Sequence, residues 1–120
     1  MTPIYKIMIF LKRREGLSLD EFRDYYENHH VPLCRQYMTG VTRYVRHYPL
    51  AVPSEFGDST ELDFDVITEL RFADSATFEM VLKYGSRGQL PADVLADEER
   101  LFDRTKTRYT AVIDCETIIS

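Results

Sequence analysis

A chain of 120 residues with 44% hydrophobic content has room for one domain, residues 1–120, built around one core. Its formal net charge of -5, with Lys and Arg scattered among the acids, argues against nucleic acid as a partner, since tracking phosphates takes a basic stripe. Cys34 and Cys115 form no C-x-x-C, so ordinary buried thiols in a reducing compartment are expected rather than a disulfide framework.

The N-terminal "MTPIYKIMIFLKRR" has no basic region before its apolar run and no small-residue cleavage site after it, so it does not read as a secretory signal. No apolar stretch approaches the roughly 20 residues of a membrane span. A cytoplasmic protein without a membrane partner is expected. "IYKIMIFLK", Ile4 to Lys12, is apolar on both alternating faces and predicts a central strand covered on both sides.

After the turn "REGLS", Ser18 and Glu21 stand in capping-box spacing, and Leu17 with Phe22 fits a hydrophobic staple. A helix from about Leu19 follows. At about 100° per residue, Leu19, Phe22, Tyr26, His29, His30 and Leu33 share one arc, opposite Asp20, Asp24, Glu27 and Asn28. Pro32 is expected to bend or close this helix.

"VTRYVRHY", Val41 to Tyr48, predicts a second strand with Arg43, Val45 and His47 on one face and Thr42, Tyr44, Arg46 and Tyr48 on the other. "PLAVPSEFGDSTEL" reads as a long loop of the kind that serves as a lid or binding loop. "FDVITELRF", Phe64 to Phe72, predicts a third strand, and a helix over Ser75 to Tyr84 is capped by Asp74 or Ser75 and stopped by Gly85. "LPADVLADEERLFD" predicts another short helix and "TRYTAVIDCETII" a fourth strand. The order is that of a ferredoxin-like βαββαβ fold, an α+β sheet of four antiparallel strands. One sheet face is covered by helices, and the other is expected to need a partner, which predicts a homodimer through the sheet faces.

"LKRREGLSLDEFRDYYENHHVPL" resembles the EthD-like proteins of the dimeric α+β barrel superfamily. Their pattern is a first strand ending in L-x-R, then G-L-S, a helix with E-F-x-x-Y, and H-x-P-L at its end. Leu11, Arg13, Gly16, Leu17, Ser18, Glu21, Phe22, Tyr25, His30, Pro32 and Leu33 occupy those positions. The likeness continues through "RYVRHY", through "DFDVITELRF" with Asp65 on the family's strand acid, and through "DEERLFDRT". The resemblance implies one of several chemistries: cyclases, dehydratases, decarboxylases, isomerases and cofactor-independent oxygenases, often on aromatic polyketides or lactones. Tyr26 stands where many relatives carry tryptophan, and His29 is an additional histidine beside the motif position.

His30, near a helix C-terminus and at the motif position, is the expected general acid or base, with a core histidine bonded to a carbonyl as the plainer reading. His29 is either a second proton donor or a packed residue. His47 and Asp65, on strands two and three, are expected to converge under the helix, the acid fixing the imidazole's tautomer; the alternative is an ion pair of Asp65 with Arg43 or Arg46. Tyr44 is the expected oxyanion donor. Phe22, Tyr25, Tyr26, His29 and Tyr48 are expected around the substrate, phenols giving flat apolar walls with polar tips.

Adjacent helix residues diverge by about 100°, so His29 and His30 do not readily share one ion, and H-x-x-x-H spacing is absent. Neither a glycine-rich phosphate loop nor a haem or flavin motif occurs, and no cofactor is expected. The residues together predict a cofactor-free lyase, cyclase or isomerase moving protons on a small apolar carbonyl or aromatic compound. An oxidoreductase and a non-catalytic ligand carrier are the alternatives.

Overall fold

The computed structural model describes residues 5–53, 55–56 and 61–120. Ile4 of the expected first strand, and residues 54 and 57–60 of the expected loop, lie outside them. Strand β1 (Tyr5–Leu11) is central because Ile7, Ile9 and Leu11 point to the helices and are almost fully buried. Strands β2 (Val41–His47) and β3 (Val66–Phe72) follow, and β4 (Arg108–Ala111) closes the order β2-β3-β1-β4 with every pairing antiparallel. This is the ferredoxin-like α+β fold that the order of elements predicts.

The first helical segment begins as its capping box dictates. Ser18 Oγ accepts from the Glu21 amide, and Glu21 accepts in return from the Ser18 amide, at the start of α1 (Leu19–Tyr25). Pro32 neither bends the chain away nor ends the helix. Tyr26–His30 instead widens into a π-helical turn that hands over to α2 (Val31–Arg35). A proline lacks an amide donor and crowds the carbonyl one turn back, and a wider turn just before it relieves both problems.

Helix α3 (Ser75–Gly85) is capped by Asp74, whose carboxylate accepts from the Thr77 amide. Helix α4 (Ala92–Leu101) follows, and a 3-10 turn at Arg104–Lys106 leads into β4. The helices cover the sheet face that carries Ile7, Ile9, Leu11, Val66, Leu70 and Phe72. Phe22 and Tyr26 are buried completely against that face; each contributes roughly 1.5–3 kcal/mol of hydrophobic stabilisation.

Three expectations need correction. The last strand stops at Ala111, and the chain beyond it leaves Ile113, Ile118 and Ile119 exposed. Where pairing with the start of β1 would continue, Lys6 instead reaches Asp114 at 2.7 Å. The second correction is to the open sheet face, which is not simply apolar. Met8, Phe10, Val45 and Ile67 form its middle, while Lys6, Arg43, His47, Glu69 and Arg71 surround them. Finally, Cys115 is exposed, not buried.

Candidate active site

The π turn decides which histidine faces inward. In such a turn each residue advances less than the about 100° of an α-helix, so the fourth residue on swings into line while the third falls away. Counting from buried Tyr26, the fourth is His30 and the third is His29. His30 is buried, with its ring edge-on to Tyr26 and Phe102, whereas His29 is exposed and lies against Tyr25. His29, expected beside the substrate, does not line the cavity between helices and sheet.

Asp97 of α4 holds His30. Its Oδ2 stands 2.8 Å from His30 Nδ1, and its Oδ1 accepts from the Tyr25 hydroxyl. A carboxylate here fixes the tautomer with the proton on Nδ1 and leaves Nε2 bare. The thiol of Cys34, one turn further along the helix, donates to that nitrogen at 3.3 Å. Burial lowers the pKa of His30 from its ordinary value, and Asp97 opposes the shift without reversing it. Burial also pushes the Cys34 thiol up to about 12, with Glu98, Asp97 and Asp93 adding to the effect. The pair at rest is therefore a neutral imidazole and a neutral thiol.

His30 and Cys34 form part of the wall of a cavity of about 340 Å³ between helices and sheet. Ile9, Leu11, Leu70, Val94 and Phe102 supply its apolar surface, and Tyr26, Tyr44, Thr68, Glu98 and Tyr109 its polar atoms. Tyr44 projects from β2 beside Tyr26, whose hydroxyl in turn meets Thr68 Oγ1. Burial raises the pKa of both phenols, so they stay protonated and able to donate throughout the physiological range. Tyr26 and Tyr44 thus both line the cavity.

The other expected site residues lie elsewhere. Asp65 precedes β3; its carboxylate accepts from the Arg13 amide at 2.9 Å and stands 3.6 Å from Lys12 Nζ. His47 points to the open sheet face, where Nε2 lies 3.2 Å from Glu69 Oε1. The convergence of His47 and Asp65 under the helix does not occur, and neither does the ion pair of Asp65 with Arg43 or Arg46. Arg46 pairs with Glu27 at 2.7 Å.

Phe22 fills the core, Tyr25 sits behind Asp97, and Tyr48 donates to Glu27; none of the three lines the cavity. Among the described residues, no three His, Cys, Asp or Glu side chains converge as a metal site would need.

Asp97 is the residue that sequence reasoning missed. Its signal was present: Val94, Asp97 and Leu101 are the buried positions of α4, so an acid interrupts an otherwise apolar stripe. A buried acid demands a partner, and His30 is that partner.

The EthD domain family model matches residues 14–105, a span that includes the capping box, the π turn, Asp97 and Glu98. The chain belongs to the EthD domain family. No curated protein matches the chain. Within this EthD domain, His30 is the histidine that lines the cavity.

Proposed function

We propose that this EthD protein is an enzyme of the lyase, cyclase or isomerase type, using its own side chains to move protons on a small, largely apolar carbonyl compound such as an aromatic, polyketide-like or lactone substrate. The observation that carries this reading is the relay Tyr25–Asp97–His30, which ends with the bare Nε2 at the wall of an apolar cavity. An imidazole that is neutral at pH 7, held in one tautomer and shielded from water is fitted to take a proton from carbon beside a carbonyl. Its neighbour Cys34 is a weak donor, so an incoming substrate displaces it at small cost.

Tyr44 and Tyr26 are neutral phenols on the same wall, and to them we assign donation to an enolate oxygen. Asp97 holds and orients the base and stabilises the imidazolium that forms. Two copies are proposed to meet through the open sheet face, covering Met8, Phe10, Val45 and Ile67 in a cytoplasmic homodimer.

The test is exchange of α-protons into D2O for a panel of small aromatic ketones, followed by proton NMR. The enzyme should accelerate exchange for at least one of them and His30→Ala should not. Exchange retained in full by His30→Ala overturns the reading.

A further inference from the structure

Glu98 follows Asp97 in α4, and successive helix residues diverge by about 100°. While Asp97 turns to His30, Glu98 turns to another part of the same cavity, where it lines the wall with Tyr109 and Leu90. Those three residues also line a second hollow of about 610 Å³, which opens outward beside Arg87, Arg104 and Arg108. Glu98 thus lines both the apolar chamber and the outer hollow, a vestibule, and its side chain is only 15% exposed.

We propose that Glu98 is the proton donor of this cavity, protonating the departing oxygen of a substrate once His30 has removed a proton from the neighbouring carbon. The inference rests on the proton-abstraction reading above and narrows it to dehydration of a β-hydroxy carbonyl compound. A base alone does not expel hydroxide efficiently, because the leaving oxygen has to be protonated as its bond breaks. In the step assigned here, the α C–H bond breaks and its proton goes to Nε2. The electron pair is held first as the enolate, whose return to the ketone gives exchange; its collapse forms the new C=C bond as the C–O bond breaks, and Glu98 supplies the proton that turns the leaving hydroxyl into water. His30 ends as imidazolium and Glu98 as carboxylate. The vestibule then gives Glu98 access to solvent for reprotonation, which an enclosed acid would lack.

The charges facing Glu98 suit this role. From the 3-10 turn, Arg104 Nε is 3.8 Å from Oε2, close enough to steady a carboxylate without forming a tight pair. Asp97 lies beside it on its own helix, and Tyr109 of β4 and Cys34 of α2 are neutral groups that respond to its charge. Burial raises its pKa from the ordinary value, with Asp97 acting in the same direction and Arg104 against it. His30 is shifted down and Glu98 up, so the base stays free and the acid keeps its proton closer to neutrality than either would in water.

The probe is 4-hydroxy-4-phenylbutan-2-one. Exchange at its C3 in D2O reads His30 alone, and formation of the conjugated aromatic enone reads both groups. The protein should catalyse both, and Glu98→Gln should lower dehydration by about 100-fold relative to whatever exchange it retains, and should lose the alkaline limb of the dehydration pH profile. Dehydration by Glu98→Gln at the normal rate overturns the assignment, as does exchange without any dehydration in the unaltered protein; both leave the proton-abstraction reading standing. Failure of exchange itself overturns that reading and this inference with it. If Glu98→Gln does not fold, Arg104→Gln removes the opposing charge from outside the chamber and should move the alkaline limb to higher pH. An unmoved limb counts against Glu98.

Discussion

His30 Nδ1 and Asp97 Oδ2 stand 2.8 Å apart although 67 residues separate them in the chain, and this bond joins the π turn to α4. Replacing the acid by its amide leaves the shape but removes the charge that favours imidazolium and the acceptor that fixes the tautomer. Asp97→Asn should lower α-proton exchange by about 100-fold or more, and shift the His30 titration further down, as read from its imidazole nitrogen resonances. An unchanged titration would show that the two do not interact in solution.

The lowered pKa of His30 also links stability to pH. Below the ordinary histidine value of 6.5 the unfolded chain takes up a proton that the folded chain resists. Unfolding free energy therefore rises with pH between the depressed pKa of His30 and 6.5, and the contribution is flat above that window. Denaturant titrations of the protein and of His30→Gln across this range should differ in slope, the variant being the flatter.

Gly85, the last residue of α3, has no room for a side chain. A Cβ at this position would lie 2.9 Å from Tyr109 Cε2, whose ring forms part of the wall between chamber and vestibule. Gly85→Ala should destabilise the fold by about 1–3 kcal/mol through overpacking, measured by chemical denaturation. Because Tyr109 is displaced, substrate binding should weaken as well.

Residues outside the chamber supply the control. His29→Ala removes an exposed ring and His47→Ala breaks a contact with Glu69 on the opposite sheet face. Both variants should exchange α-protons within about twofold of the unaltered protein, a difference too small to represent loss of a proton-transfer group. A large loss in either would return that histidine to the site.

Much of the fold was legible because its signals are local. Ser18 and Glu21 mark a helix start through their own hydrogen bonds, and Asp74 does the same for α3. Alternation put Tyr44 and His47 on opposite faces of β2, and the structure keeps that division, but alternation alone does not say which face meets the helices, and His47, expected under the helix, lies on the open face. The length of the last strand was not legible, since it depends on what the edge of β1 pairs with. The site was half visible. His30, Tyr26 and Tyr44 follow from position, but a uniform 100° step cannot foresee the π turn that removes His29 from the stripe. The choice of Asp97 over Asp65 depends on how α4 crosses the π turn, a relationship between distant segments that no periodicity encodes. Asp65 is instead occupied by the Arg13 amide and by Lys12 and Arg13 at the end of β1.

The most direct test of the central claim, that His30 is a free base in an apolar chamber, uses an activated carbon acid and needs no knowledge of the natural substrate. Ring opening of 5-nitrobenzisoxazole requires one proton to leave carbon and releases a coloured phenolate, so its rate can be followed optically against pH. Catalysis should rise with pH through a value below 6.5 and then level, and should fall to the buffer rate in His30→Ala. Equal rates for the two proteins would contradict that claim.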